Sequence, residues 1–298
     1  MKIIGVDQDK CTKCLNCVNY CPASCYKNST DVNTGIKTIE FNDIYSWCIS
    51  CGHCVSMCPS NAIKYENAES TYEFEYISNP ASLVNYETLV KIIRARRSIR
   101  HFKNKMVLKK DIKAILEAMR YAPTSHNMQQ VYYIVITEPD KIEKLKYEAI
   151  RLVKFYRKIM KYSFFFKLFL PKNVKEILLD PSIKTGMDDM IKQFEEGQDV
   201  IFYSAPAIII TYSPSMGPTT CLDSAIALTH GMFAAQARGL GTCWIGFSHE
   251  ALRKYKANNK WLKIPKSMEV TGVLILGYPK VQYLRAPPRN PVKVQWNP

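Results

Sequence analysis

Apolar residues recur at three- and four-residue intervals over residues 86–95 and again over 109–121, the spacing that lines one face of a helix. Residues 222–238 are apolar along most of their length, and Gly239 behind them suits a C-cap, which predicts a long buried helix. Apolar, β-branched runs at 131–137, 207–212 and 270–276 predict buried strands, with a shorter strand at 241–246. Helices and strands mix without a regular βαβ rhythm, so the expected fold class is α+β. The pattern also marks a boundary. After Tyr65 the chain turns acidic and polar, and Asn79-Pro80 makes a turn before the next periodic segment. A first module is therefore expected at residues 1–66, a linker at 67–84 and a second module at 85–298.

Charge sharpens that division. The net charge of the 298-residue chain is +15. Residues 1–80 carry 6 Lys, no Arg and 9 acids, whereas the remainder carries 35 basic against 17 acidic side chains. Such asymmetry points to two modules of different origin. No apolar run reaches the ~18 residues of a membrane span and no signal-peptide pattern opens the chain, so a cytoplasmic location is expected.

The cysteines carry the chemistry of the first module. Nine of eleven lie in the first 58 residues, in two runs of one spacing: Cys11-x2-Cys14-x2-Cys17-x3-Cys21-Pro22 and Cys48-x2-Cys51-x2-Cys54-x3-Cys58-Pro59. Three thiolates two residues apart wrap a corner of an iron–sulfur cube, and the fourth cysteine of each run ligates the other cluster. One [4Fe–4S] cluster is thus expected on Cys11, Cys14, Cys17 and Cys58, and a second on Cys48, Cys51, Cys54 and Cys21. Disulfides suit a reducing compartment poorly, and zinc sites draw on separated CxxC pairs. This repeat resembles the bacterial two-cluster ferredoxins. Cys25 falls outside the pattern and is read as a small buried thiol, as are Cys221 and Cys243; His53 is read as an exposed loop residue.

Three elements of the second module look like the nitroreductase family of FMN enzymes: Arg96-Arg97-Ser98-Ile99-Arg100, Ala122-Pro123-Thr124-Ser125-His126-Asn127-Met128-Gln129, and Gly239 to Gly246. The resemblance implies a mixed sheet flanked by helices and a homodimer with FMN at the subunit interface. It implies that Arg96 and Ser98 bind the phosphate and ribityl end, with Arg100 near the ring's N1–O2 edge and Arg97 in the same cofactor-binding group, though of the three arginines it best fits a structural part. Pro123, Thr124, Ser125, Asn127 and Gln129 would lie along the cofactor, Ile245 and Gly246 at its O4/N5 edge, and Arg289 on the phosphate. Guanidiniums match phosphate by fork geometry, and a cation beside N1 favours the reduced ring. Where the family commonly has Pro-Trp after the glutamine, this chain reads Gln130-Val131, so substrate preference does not carry over. Gly239-x-Gly241 precedes a strand, so it is no dinucleotide fingerprint.

No catalytic acid stands out; His126 is the one candidate proton donor, in a residue type whose ordinary pKa suits the task. The expected activity is electron transfer from two clusters to FMN, which then reduces a small organic acceptor such as a nitro compound, quinone or activated alkene. An external ferredoxin or NAD(P)H is the candidate donor. Two alternatives stay open: NAD(P)H oxidation with export of electrons through the clusters, and a non-catalytic redox carrier or sensor. Residues 141–175 hold eleven Lys/Arg against two Glu in an amphipathic pattern. They can serve as a helical lid or packing arm, a membrane-surface helix over 150–170, or a dock for an acidic partner. Nucleic acid is not expected, because no binding motif accompanies the charge.

Overall fold

The structure, a computed structural model, describes residues 1–74, 79–166, 180–215, 217 and 219–297. The chain divides into two compact units. One comprises Met1–Val84 together with Thr124–Gln129, the other Asn85–Pro123 and Gln130–Pro298.

The first unit is built twice over. Strand β1 (Lys2–Val6) leads into a short helix, α1 (Asn16–Asn19), and strand β2 (Tyr26–Thr30). Strand β3 (Lys37–Phe41), helix α2 (His53–Met57) and strand β4 (Ile63–Glu66) repeat that order. β1 pairs antiparallel with β4 and β2 with β3, so each two-stranded ribbon is a separate sheet. Backbone detail repeats too. Leu15 and Gly52 cap the two helices at φ 64° and 79°, and Ser24 and Asn61 follow the two Cys-Pro turns at φ 52° and 49°. His53 is exposed, as expected, but opens α2 instead of lying in a loop.

In the second unit Asn85 caps helix α3 (Tyr86–Ala95), its side chain accepting from the Thr88 amide at 2.8 Å. Helix α4 (Lys109–Arg120) follows, then strand β5 (Tyr132–Ile136), the long helix α5 (Pro139–Phe166) and helix α6 (Pro181–Glu195). Strand β6 (Ala207–Pro214), helix α7 (Thr220–Ala237), strand β7 (Gly241–Trp244), helix α8 (Gly246–Lys254) and strand β8 (Met268–Gly277) complete it. The sheet is antiparallel in the order β5-β6-β8-β7.

The central strands are apolar on both faces because both faces are covered. Successive side chains alternate between two cores, as the period of a strand requires. Ile208, Ile210, Val273 and Ile275 point into one, with α5 and α8 residues such as Leu152, Val153 and Leu252. Ala207, Ile209, Leu274 and Leu276 point into the other, with Ile112, Ile115 and Met119 of α4 and Leu228 and Ala235 of α7. Gly231 lets α4 and α7 approach, since a Cβ there would stand 2.8 Å from Met119 Sδ. Arg238 donates from Nε to the buried Asp111 carboxylate at 2.8 Å, tying the end of α7 to the first turn of α4.

One seam of this core is polar. β6 and β8 slip register at Thr211/Tyr212, leaving Thr271 out of the pairing. Its buried hydroxyl lies 2.7 Å from Ser224 Oγ of α7 and 3.2 Å from Thr211 Oγ1, and Ser224 lies 3.1 Å from Ser213 Oγ.

The structure differs from the pattern reading in three places. The strand expected over 241–246 stops at Trp244, because Ile245 caps a helix that Gly246 opens. Cys221 is exposed in the first turn of α7, not buried. α6, which the pattern did not mark, is capped by Asp180 with Pro181 at its first position.

Candidate functional site

Two cavities of the first unit sort the cysteines. One is lined by Cys21, Cys48, Cys51 and Cys54, with Cys25 beside them; the other by Cys11, Cys14, Cys17 and Cys58, with Cys54 on the wall of both. Among the described residues no three His, Cys, Asp or Glu side chains converge to clasp a single ion. Each expected set of four cysteines lines one cavity instead.

Backbone amides turn toward sulfur in the same way in both repeats. Cys25 N–H donates to Cys21 Sγ at 3.3 Å, and Ala62 N–H to Cys58 Sγ at 3.2 Å. For Cys58 burial pushes the thiol up, yet the Ala62 and Ser60 amides outweigh it and the net shift is downward, toward the thiolate that iron binds. For Cys17 burial, with Cys11 and Cys14 beside it, holds the thiol up at about 11. Such a thiol gives up its proton when a cation arrives.

Sequence reasoning missed two residues here. Tyr26 is 6% exposed and lines the cavity of Cys21, Cys48, Cys51 and Cys54. Its buried hydroxyl is left without an oxygen or nitrogen partner among the described residues and sits beside the Cys54 sulfur. Burial, first, and the neighbouring Cys54 thiol raise its ionisation far above the ordinary tyrosine range. Asp43 is the second. Its Oδ1 accepts from the Trp47 and Cys48 amides at 2.7 and 3.1 Å and from the Cys25 thiol at 3.7 Å. Comparing the repeats would have marked Tyr26, since Cys25-Tyr26 stands where the second repeat has Ala62-Ile63.

Of the expected flavin residues, Thr124, Ser125, Asn127 and Gln129 fall in the first unit, the others in the second. The Thr124–Gln129 loop is strained. His126, Asn127 and Gln129 all take positive φ, at 50°, 51° and 53°. Non-glycine residues hold that conformation only where surroundings over-determine it. Gln129 N–H donates to Thr124 Oγ1 at 2.9 Å, and the Asn127 amide donates to the Ser50 carbonyl, on the wall of the first cavity. His126 is exposed, its Nδ1 3.0 Å from Ser125 Oγ.

In the second unit Arg96 ends α3, and the chain beyond it runs beside β7. Ile99 N–H donates to the Thr242 carbonyl at 2.9 Å, and Ser98 bridges Thr242. Arg96, Ser98 and Arg100 thereby surround the buried Cys243. Burial raises that thiol while Arg100, Ser98 and Arg96 draw it back down. Arg100 also lies over the Tyr203 ring, 5.8 Å from its centroid. The arrangement gathers cations and a hydroxyl at one sheet edge, suited to an anionic group. Arg97 turns back, donating to the Arg94 carbonyl of its own helix. Buried Ile245 and exposed Gly246 sit at the N-terminus of α8, and Pro123 and Arg289 are exposed, the latter in the coil after β8.

The basic stretch is engaged within its own unit. Arg157 meets Asp188 of α6 in a fork, at 2.5 and 3.0 Å, and Lys154 meets Glu195 at 2.6 Å. Lys144 and Arg151 lie over the Trp261 and Tyr255 rings. Leu145, Ala149, Leu152 and Val153 face the core, which supports the packing-arm reading; residues 167–175 lie outside the described ones. No described helix is long and apolar enough to cross a membrane.

Comparison with known proteins agrees with both halves. Residues 93–278 match the nitroreductase family and residues 10–63 a 4Fe-4S dicluster domain. A protein of Archaeoglobus fulgidus, provisionally named NADH dehydrogenase/NAD(P)H nitroreductase, is 26% identical over 196 residues, covering 65% of this chain and 87% of its own. A nitroreductase of Desulfitobacterium hafniense, solved with bound FMN, superposes with a TM-score of 0.51 at 21% identity, covering 70% of this chain and 96% of that one. A BluB-like flavoprotein of Clostridium difficile gives 0.51 at 19% identity, over 68% and 94%. These structural likenesses show the fold.

Proposed function

Because this chain belongs to the nitroreductase family and carries a 4Fe-4S dicluster domain at its N-terminus, we propose that it joins two [4Fe–4S] clusters to an FMN and passes electrons from the first to the second. The observation that carries the reading is the sorting of eight cysteines around two cavities in the sets the ligand spacing predicts. Cys11, Cys14, Cys17 and Cys58 hold one cluster, and Cys21, Cys48, Cys51 and Cys54 the other.

FMN, when bound, supplies the junction between one-electron donors and the two-electron reduction of an organic acceptor. The chain's own residues bind and orient it. Arg96 and Ser98 take the phosphate and ribityl end, and Arg100, steadied over Tyr203, favours negative charge on the ring. The Ile245 and Gly246 backbone, at a helix N-terminus, offers donors to the ring's polar edge. Support for a homodimer comes from apolar side chains left uncovered on α3 and α7, among them Leu89, Ile93 and Leu222. The acceptor class is a nitro compound, quinone or activated alkene.

The test is anaerobic. Purified protein should contain iron, sulfide and flavin in the proportions of two cubes and one FMN. Rapid mixing with a low-potential reductant should bleach cluster absorption and then flavin absorption within a turnover. Flavin that stays oxidised beside reduced clusters overturns the direction of flow. The name of the Archaeoglobus relative favours a second reading, in which NAD(P)H reduces the flavin and the clusters export the electrons. NAD(P)H that leaves the flavin band untouched discards it.

A further inference from the structure

We propose that the Tyr26 hydroxyl donates a hydrogen bond to the iron–sulfur group held by Cys21, Cys48, Cys51 and Cys54, and so makes the two clusters electronically unequal. The inference rests on the reading that both cysteine sets hold clusters.

The two repeats supply the argument. Their Cys-Pro turns superimpose feature by feature: a positive-φ residue (Ser24, Asn61), then an amide donating to the cysteine sulfur (Cys25, Ala62). The next residue opens a strand, Tyr26 in one repeat and Ile63 in the other, and each lines its own cavity. The backbone thus treats both clusters alike, and the side chain at this position differs. Ile63 offers only carbon. Tyr26 offers an O–H, buried beside the Cys54 sulfur and with no oxygen or nitrogen partner among the described residues.

A buried hydroxyl needs an acceptor, and in a cavity walled by thiols, beside Cys54, the acceptor at hand is sulfur. Hydrogen bonds to cluster sulfurs make reduction easier, because the added electron places negative charge where the donor points. Reduction adds one electron to the cluster, supplied by an external chemical reductant; no bond breaks. Asp43, with its carboxylate on the Cys48 amide, acts on the same cluster in the opposite sense. The hydroxyl's contribution is therefore read from its removal and not from the order of the two potentials.

The experiment is a redox titration of the full-length holoprotein, followed by electron paramagnetic resonance of the reduced clusters, in wild type and Tyr26→Phe. Iron and sulfide are assayed first, and a content below two cubes defeats the underlying reading itself. With both clusters present, Tyr26→Phe should make one cluster roughly tenfold harder to reduce, about 59 mV for one electron, and leave the other unmoved. Should the phenylalanine variant not assemble, Tyr26→Ile, which copies the second repeat, should show the same one-sided drop. Unmoved potentials, or equal drops in both clusters, overturn the proposal. A drop with isoleucine but not with phenylalanine assigns the effect to the ring and overturns it too.

Discussion

Gly241 shows how little room the edge of β7 has beside Ser98 and Arg100. A Cβ there would run into the Ile99 side chain and stand 3.0 Å from Pro279 Cγ. Ile99 lies between Ser98 and Arg100, so displacing it moves both groups expected to face the cofactor. Gly241→Ala should therefore cost about 1–3 kcal/mol of stability, the usual cost of overpacking, and lower the flavin retained on purification. Thermal unfolding and flavin content check this; an unchanged midpoint would show that the strand can yield. At this scale the sequence was informative where residue type and spacing carry chemistry. The cysteine runs fall in the sets that line the two cavities, and the Arg-Arg-Ser-Ile-Arg segment lies along β7. Asp43 was silent, because a lone aspartate has no spacing to betray it, and Tyr26 shows only when the two repeats are laid side by side, where it stands in place of Ile63. What distinguishes them is what they face after folding.

Among the elements, α8 is tied to β8 through a histidine. His249 lies 3.1 Å from the Val270 carbonyl through Nε2. Burial depresses its pKa below the ordinary 6.5, while the Val270 carbonyl and Glu250 pull the other way without prevailing. The unfolded chain then takes up a proton where the folded one resists, so stability should fall as pH drops below about 6.5. The depressed carboxylates Asp180 and Asp188 act in the same direction but only in more acidic solution, which leaves this window to the imidazole. Unfolding midpoints at about pH 5.5 and pH 7.5 should differ in wild type and differ less in His249→Gln. An identical pH response in the variant assigns it to another group. Elements with strong periodicity were legible almost to their ends, as with α3, α4, β6 and β8. The short strands and helices of the first unit were not, since the cysteine spacing dominates there. α6 escaped because its helical face is interrupted by polar residues that meet α5, as Asp188 does with Arg157.

The whole molecule pairs a well-filled unit with one that has little to hold it. Among its described residues the first unit buries seven apolar side chains, Ile3, Cys25, Tyr26, Ile39, Val55, Ala62 and Ile63, with the predicted ligand cysteines packed around them. A core that small is marginal by itself, and metal binding that requires the folded site contributes directly to folding. Anaerobic iron chelation should therefore erase amide protection in residues 1–66 while β5, β6 and β8 stay protected. Hydrogen exchange read by mass spectrometry distinguishes this from uniform loosening, which would show that the second sheet also depends on the clusters.

The polar seam of the second sheet acts as a key for alignment. Thr271, stepped out of its ladder, reaches Ser224 and Thr211 from a position no neighbouring residue of β8 could occupy. Sliding that strand by one place would swap the two apolar layers, a change both faces can absorb, being alike in character. It would also strand several oxygens in a dry interior at roughly 1–3 kcal/mol each. In a sheet greasy on both sides, where oil cannot tell one alignment from another, the hydroxyls make the correct threading unique.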